Sequence, residues 1–401
     1  MRRMPSAVSI AAITVLLAGC GGGTKLLTGN PESGVQASAP QAAQKLGFPS
    51  VATKNTTRVG GGDAIADAAA VALAVYPSAI AGTHPTAVTI APSDDWQAAI
   101  AAAALMAPPI RAPILLSGSS SLPSATSDAL SELAPTGSGA AAGAQVIRIG
   151  NVPSPSGLRA TTIQGSDPFA LAAAIDRFAS AARGKASANV MIASADDPAY
   201  AMPAAGWAAE SGEPVLFVTG SSVPQVTRQA LLSHQHPHIY VLGPPSVVPD
   251  SILRQLGKYG PVKRVAGADP VSNAVNFAEY RDPACPYGQP CGHIPGSFGW
   301  AMRSPGHGYV LVNMHRPLDA AASAPLSGSG DYGPILLVDN PSTLPSVVLN
   351  FFLNYGTPAY SQYGPTAAVY NHAWVIGDQN AVTVGVQAQL DSLLEVVPQG
   401  K

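Results

Sequence analysis

Residues 113–116 read Pro-Ile-Leu-Leu, and a Leu-Pro pair follows at 122–123. The same arrangement occurs twice more, as Pro-Val-Leu-Phe at 214–217 with Val-Pro at 223–224 and as Pro-Ile-Leu-Leu at 334–337 with Leu-Pro at 344–345. A short apolar run bounded by turn residues is typical of a buried strand, and proline is favoured in the first turn of a helix. Each occurrence therefore predicts a buried strand, a turn and the start of a helix.

Two further patterns recur with the same period. The first consists of an arginine, a short β-branched stretch, glycine and an aspartate, and it occurs at 58–63, 159–167 and 264–269. The second is an apolar run that ends in glycine, and it occurs at 146–150, 239–243 and 373–377. Because the three patterns recur in the same order, they indicate three copies of one unit. We assign residues 51–156, 157–260 and 261–401 to repeat units 1, 2 and 3, with a cysteine-containing insertion at 281–309 in the third.

Helical patterns lie between the predicted strands. Residues 63–76 are rich in alanine with apolar positions at helical spacing, and Asp63 follows a glycine turn as a helix N-cap would. Continuously apolar strands that alternate with helices favour a parallel sheet covered on both faces. We therefore predict an α/β protein built from three small doubly wound units.

The first residues have the form of an export signal. Arg2 and Arg3 precede an uncharged apolar stretch at 5–17, and Leu-Ala-Gly-Cys at 17–20 resembles the bacterial lipobox. We expect cleavage after residue 19, lipid on Cys20 and a position on the outer face of the membrane. Residues 20–50 are rich in Gly, Ala, Ser and Pro, which predicts a flexible linker. An ordinary secretory signal with a chance cysteine is the alternative, and a retained span is disfavoured because it needs about 20 apolar residues.

The charge of the chain limits its partners. Lys and Arg number 21 against 23 Asp and Glu, and only 11% of the residues are charged. No basic field exists to hold nucleic acid by bulk charge, so an anionic partner would need local groups such as single arginines. Small residues dominate, which favours helices and strands packed closely together.

Two cysteines remain once Cys20 is assigned to lipid. Cys285 and Cys291 lie six positions apart in the insertion, and an exported protein keeps its disulfides, so we expect a local disulfide. A metal site that recruits His293, His307 or His315 stays open as the weaker alternative, because paired zinc ligands are usually closer in sequence.

Together the repeated patterns resemble the cell wall-binding repeat 2 family over about residues 57–397. The resemblance implies three flavodoxin-like or Rossmann-like units in a ring within one chain, which gives a monomer with internal threefold pseudo-symmetry. It also implies noncovalent attachment to an anionic cell-wall glycopolymer. The family motif has Arg-Tyr after the aspartate, whereas this chain has Ala-Ile at 64–65, Pro-Phe at 168–169 and Pro-Val at 270–271.

The residues at the repeat marks are the candidate site residues. We expect them at the seams between units, where they pair across units or bind polymer with bidentate guanidinium geometry. They are Arg58, Asp63, Arg159, Asp167, Arg264 and Asp269, together with Asp319, which matches an aspartate of the family motif.

Other motifs predict no chemistry. The glycines at 60–62 lack the dinucleotide fingerprint and indicate a tight turn, and His234, His236 and His238 are expected to be exposed. No hydrolase or metalloprotease motif is present in a convincing context, so we expect no catalytic residue, no metal and no cofactor. The sequence favours a noncatalytic, cell wall-associated lipoprotein. A solute-binding lipoprotein with its ligand between units, or a wall hydrolase, are the alternatives.

Overall fold

A computed structural model describes residues 51–282, 297–330, 332–360 and 369–398. Cys20, Cys285 and Cys291 lie outside these ranges, as do the leader and the linker. Lipidation, the flexible linker and the disulfide therefore stay predictions. None of the helices in the described ranges has the length and hydropathy of a membrane span.

Strands and helices alternate along most of the chain. The strands of the described residues are β1 (Val51–Ala52), β2 (Thr56–Val59), β3 (Val88–Pro92), β4 (Ile114–Ser117), β5 (Val146–Ile149), β6 (Ala160–Ile163), β7 (Asn189–Ser194), β8 (Val215–Val218), β9 (His238–Leu242), β10 (Val262–Val265), β11 (Gly308–Asn313), β12 (Ile335–Val338), β13 (Ala359–Tyr360), β14 (His372–Ile376) and β15 (Val397–Pro398). The α-helices are α1 (Ala64–Val75), α2 (Trp96–Ala102), α3 (Ser124–Leu133), α4 (Pro168–Arg183), α5 (Pro198–Ser211), α6 (Gln225–Ser233), α7 (Asp250–Leu256), α8 (Pro270–Glu279), α9 (Pro317–Ser327), α10 (Ser346–Phe351) and α11 (Val384–Leu393).

Three parallel sheets form the framework. Sheet 1 has the order β4-β3-β5-β6, sheet 2 the order β8-β7-β9-β10, and sheet 3 the order β12-β11-β14-β2 with the short antiparallel β1 at its edge. Among the three consecutive strands that each repeat contributes to its own sheet, the second is at one edge and the first lies beside the third, which is the flavodoxin-like order. This confirms the predicted fold class of three pseudo-symmetric α/β units.

Each sheet is completed by a strand from the next repeat. β6 pairs with β5, β10 pairs with β9, and the N-terminal β2 pairs with β14 near the other end of the chain. The strand that opens each sequence repeat thus lies in the sheet of the preceding repeat. Because β2 completes sheet 3, the three units are joined in a closed cycle.

Aspartate N-caps set the start of the first helix in every repeat. Asp63, Asp167 and Asp269 accept hydrogen bonds from the backbone N–H groups of the third residue beyond them, at 2.9, 2.8 and 2.8 Å. A carboxylate at this position pairs an otherwise unsatisfied N–H and interacts favourably with the helix dipole. The predicted N-cap role of Asp63 is confirmed, and the two equivalent aspartates share it.

Small residues let the second helices of the repeats pack against one another. α2, α5 and α9 are in mutual contact, and each also packs on the first helix of the next repeat. A Cβ atom added to Gly206 of α5 would lie only 2.8 Å from Ser327 Oγ of α9. The low charge and high alanine content of the sequence therefore serve this close packing of buried helices.

His234 departs from the expectation of exposed histidines. Its side chain is buried at the end of α6, where Nε2 lies 2.8 Å from Asp176 Oδ2 and Nδ1 lies 2.8 Å from the carbonyl oxygen of Ser187. The expected exposure is wrong for His234 because this residue caps the C-terminal end of α6 and its ring packs against Asp176, after which the chain turns through left-handed backbone at Gln235 and His236. His236 and His238 are exposed, as expected.

Candidate functional site

In a doubly wound sheet, ligands bind at the carboxyl ends of the strands where the strand order reverses. Sheet 1 has a cavity of about 360 Å³ at this place, which we call the sheet 1 pocket. Its walls come from the end of β3, the loop after β5 and the loop between β6 and α4. The residues whose polar side chains line it are Asp94, Asp95, Ser119, Asn151, Ser166 and Asp167.

The side chains of the sheet 1 pocket are acidic or neutral. Asp95 caps α2 through the N–H of Ala98, and Asp167 caps α4 while accepting a hydrogen bond from Ser166. Burial raises the pKa of Asp95, the N–H of Ala98 lowers it, and the neighbouring Asp94 raises it again. None of the described residues that line the pocket is a lysine or an arginine. Its chemistry suits hydroxyl or ammonium groups and disfavours a phosphate.

In sheet 2 the corresponding space at the carboxyl ends of the strands is occupied by protein side chains. Tyr200, at the third position after the N-cap of α5, donates a hydrogen bond of 3.3 Å to the carbonyl oxygen of Ala268. Asn273, at the fourth position after the N-cap of α8, accepts one of 3.1 Å from the N–H of Gly267. Both side chains are buried, so they take up space at these strand ends that Ala98 and Leu171 leave open in sheet 1.

At the carboxyl ends of the strands of sheet 3, Asp319 and Asp67 occupy the helix positions that Tyr200 and Asn273 have in sheet 2. The side chain of an arginine lies between them. Arg316 donates to Asp67 Oδ2 at 3.1 Å, its Nε lies 2.6 Å from Asp319 Oδ2, and its Nη1 lies 3.8 Å from Asp378 Oδ1. The side chains of Asp67 and Asp319 are fully buried. Residues from α1, the start of α9 and the loop after β14 thus form one ion network.

The burial of this network shifts its acid groups. Burial first, and then the charge of Asp319, raise the pKa of Asp67 to about 9, although the N–H of Gly61 and Arg316 act to lower it. Burial raises the pKa of Asp319 to about 6, with Arg316 acting against the shift. Asp67 is therefore held in its protonated form near neutral pH, which reduces the number of buried negative charges beside Arg316.

Two of the predicted arginines bind the loop that follows the neighbouring strand of their own sheet. Arg58 is buried and donates to the carbonyl oxygens of Gly377 at 2.8 Å and Asp378 at 3.0 Å. Arg264 donates to the carbonyl oxygens of Gly243 at 2.6 Å and Val248 at 2.7 Å. These contacts join successive repeats, and a role for the two arginines in binding polymer stays a prediction.

Arg159 has a different place. It is exposed and precedes β6, whereas Arg58 and Arg264 are the third residues of β2 and β10. Thr162 occupies the third position of β6, and Arg148 from the neighbouring strand donates to its Oγ1 at 3.1 Å and to the carbonyl oxygen of Val152 at 2.9 Å. The sequence indicates this difference through the spacing between the arginine and the helix N-cap. Arg58 and Arg264 precede the N-cap by five residues, whereas Arg159 precedes it by eight.

The predicted site residues therefore do not form one site. Asp319 lies in the sheet 3 network, Asp167 borders the sheet 1 pocket, and Asp63 and Asp269 cap helices. Sequence reasoning missed Asp67 and Arg316 as members of the network, although Asp67 is the only charged residue within the Ala-rich helix α1. In the described ranges no three His, Cys, Asp or Glu side chains cluster in a way that could hold a metal ion.

Comparison with known proteins points to the same family as the sequence patterns. Residues 162–253 match the family model of cell wall binding domain 2. The chain resembles the structures of Cwp8 (TM-score 0.61, 17% identity, 85% of this chain and 52% of that one) and Cwp6 (0.60, 17%, 84% and 48%), both from Clostridium difficile. No curated protein matches the sequence.

These similarities have a defined extent. The family match begins within β6 and ends within α7, so it includes most of the second repeat. The chain spans about half the length of the two similar structures, and at 17% identity the likeness is one of fold. Residues 162–253 thus have the sequence pattern of cell wall binding domain 2, within a chain that shares the fold of Cwp8 and Cwp6.

Proposed function

We propose that this chain is a noncatalytic envelope lipoprotein that binds a cell-wall glycopolymer through three tandem repeats. The observation that carries the proposal is the match of residues 162–253 to cell wall binding domain 2. The marks of that repeat occur three times in the sequence, and the three sheets have the same strand order. A polymer of repeating units suits a protein that presents repeated binding surfaces, because linked contacts increase the overall affinity.

The lipid on Cys20 and the linker at 20–50 complete the proposal. At about 5 to 6 Å × √n, a flexible linker of this length places the folded units some 3 nm from the membrane. The repeats would then hold the polymer while the lipid holds the membrane. The protein would therefore connect the two layers without altering either chemically.

The charge of the polymer unit that the protein binds is a separate question from the fold. The family resemblance favours an anionic glycopolymer, held by local groups and not by net charge. Any unit that enters the sheet 1 pocket would instead be neutral or carry an ammonium group, because carboxylates of Asp94, Asp95 and Asp167 surround that space. We expect phosphate groups of the polymer to stay outside this pocket.

Co-sedimentation with purified cell walls tests the proposal. The mature chain from residue 20, with Cys20→Ser to remove the lipid site, would be mixed with walls before and after acid extraction of their polymers. We expect the protein to sediment with intact walls and to stay in solution with extracted walls. A protein that stays in solution with intact walls even at low salt would contradict the proposal.

A second candidate function rests on the 360 Å³ cavity of sheet 1, which has the size and place of a small-molecule site. A solute-binding lipoprotein would use this pocket for a monomeric sugar or amine. Thermal-shift measurements with sugars, amino acids and phosphates distinguish the two functions. Stabilisation by one monomeric solute, lost in Asp94→Asn, together with no binding to walls, would favour solute binding.

A further inference from the structure

A second cavity opens at the opposite end of the strands, at the amino end of sheet 3. It has a volume of about 270 Å³, the space of roughly nine water molecules, and we call it the Trp374 pocket. Trp374 and His372 of β14 form one wall, Gly308 begins β11 beside them, and Ala74 and Leu326 come from the ends of α1 and α9. Trp374 is partly exposed here, and the centroid of its ring lies 4.8 Å from that of the His372 ring.

Sheet 2 has an equivalent position, which strand register identifies. Gly308 pairs with His372 in sheet 3, as Asn189 pairs with His238 in sheet 2. Two residues further along, Val310 pairs with Trp374 and Met191 pairs with Tyr240. Tyr240 is therefore the counterpart of Trp374.

In sheet 2 a flat ring of the protein itself occupies this position. Phe298, which lies within the insertion at 281–309, stacks on Tyr240 with centroids 3.6 Å apart and planes 7° from parallel. Trp207 and Tyr280 enclose it at centroid distances of 5.3 and 5.9 Å. Asn189 Nδ2 also donates to the carbonyl oxygen of Ser297 at 3.1 Å. The fold thus accepts one planar ring between the two helix ends and the aromatic residue of the strand.

Three residues that line the Trp374 pocket have smaller side chains than their counterparts in sheet 2. Ala74 stands at the position of Tyr280, Leu326 at that of Trp207, and Gly308 at that of Asn189. Phe298 is enclosed by aromatic rings on several sides. Among the described residues that line the Trp374 pocket, only Trp374 and His372 carry rings, and both belong to one wall. The rim of the pocket carries the hydroxyl of Ser329, which donates to the carbonyl oxygen of Pro325 and can still accept, and the ring of His372, which contacts Thr57 Oγ1 at 3.1 Å.

A single aromatic platform with a polar rim suits a ring that has one apolar face and hydroxyl groups on its edge. An aromatic side chain would gain more from the enclosed arrangement around Phe298, because ring pairs favour edge and stacked contacts on several sides. We infer that the Trp374 pocket binds one sugar ring of the cell-wall glycopolymer, with its apolar face on the indole. This inference rests on the proposed function and names the part of the polymer that one site recognises.

Filling the pocket tests the inference. Ala74→Tyr introduces the side chain that its counterpart Tyr280 already carries, and Gly330→Asn adds a smaller group at the rim, where a Cβ meets nothing within 4 Å. Gly330 has a φ of +61°, which asparagine tolerates better than other residues. Ala181→Tyr, at an exposed position of α4, is the matched control. Circular dichroism and thermal unfolding would identify any variant that fails to fold.

Wall co-sedimentation of the mature Cys20→Ser chain gives the first readout. We expect Ala74→Tyr to weaken wall binding at least tenfold and Gly330→Asn severalfold, while Ala181→Tyr binds as the parent does. Equal binding by the parent and both pocket variants would contradict the inference and leave the proposed function standing. Absence of wall binding in the parent would contradict the proposed function itself.

Fluorescence gives a readout that does not depend on walls. The probes are methyl glycosides of glucose, galactose, mannose, rhamnose and N-acetylglucosamine, and N-acetylphenylalanine amide represents an aromatic side chain. A saturable change in emission with a glycoside, absent in Trp374→Phe and in Ala74→Tyr, would support the inference. Emission that responds to the phenylalanine derivative and to no glycoside, or to none of the probes, would overturn it.

Discussion

Arg58 and Gly377 lie 319 positions apart in sequence, yet the guanidinium of Arg58 donates a hydrogen bond of 2.8 Å to the carbonyl oxygen of Gly377. The contact joins β2, near the start of the described chain, to the loop that follows β14. Arg264 makes the corresponding bond to Gly243 between the second and third repeats. The cycle of three units is therefore closed by the same kind of contact that joins the second and third repeats.

Replacing Arg58 tests this closure. Arg58→Lys removes the planar fork that serves two carbonyl oxygens and Gln387 at once, so some buried acceptors lose their donors. We expect the free energy of unfolding to fall by about 2 to 4 kcal/mol in urea titrations. Arg159→Lys, at an exposed position, should change it by less than about 0.5 kcal/mol. Equal effects of the two substitutions would contradict the assigned contacts.

The sheet 3 network predicts a pH dependence of stability. The pKa of Asp67 is raised from 3.8 to about 9, so the folded state keeps a proton that the unfolded state releases. The stability associated with this proton is complete below about pH 4 and is lost progressively as the pH rises towards 9. Asp319, with a pKa of about 6, contributes in the same direction over the lower part of that range.

Asp67→Asn should remove most of this dependence. Asparagine keeps an oxygen for the N–H of Gly61 and carries no charge at any pH, and Asn273 makes the equivalent bond to Gly267. Melting temperatures between pH 6 and 9.5 should decline less steeply for the variant than for the parent. Asp63→Asn, at an exposed cap, is the control and should follow the parent. Parallel curves for Asp67→Asn and the parent would show that Asp67 does not carry the shift.

The contact between α5 and α9 can be tested by adding a single methyl group. Gly206→Ala places a Cβ about 2.8 Å from Ser327 Oγ, and we expect this overpacking to lower the free energy of unfolding by about 1 to 3 kcal/mol. Adding Ser327→Gly removes the obstructing group, so the double variant should lose less stability than the sum of the two single changes. Additive effects in urea titrations would mean that the helices are further apart.

The repeats made the fold predictable, because three ordered marks determine strand and helix positions without knowledge of distant contacts. They did not reveal that each opening strand lies in the preceding sheet, since spacing along the chain does not identify a partner strand. The repeated pattern matches Arg159 to Arg58 and Arg264 by residue type. In the structure, Thr162 occupies the strand position that those two arginines have. Asp67 and Arg316 meet across 249 positions, and only the folded chain brings them together.

The differences between the pockets also depend on packing that the sequence alone does not display. Ala98 and Leu171 leave space in sheet 1, whereas Tyr200 and Arg316 occupy the corresponding edges of the other sheets. The equivalence of the Trp374 pocket and the Phe298 position depends on strand register, which pairs Tyr240 with Met191 and sets Phe298 against Tyr240. In each case one or two side chains decide between an open site and a filled one.

Recognition of a cell-wall glycopolymer by the three repeats can be measured as the binding of the mature Cys20→Ser chain to purified walls, with and without polymer released from the same walls. We expect saturable binding without the lipid, and competition by the released polymer. Binding that never saturates, or that the released polymer does not reduce, would contradict the claim that the three repeats recognise a cell-wall glycopolymer.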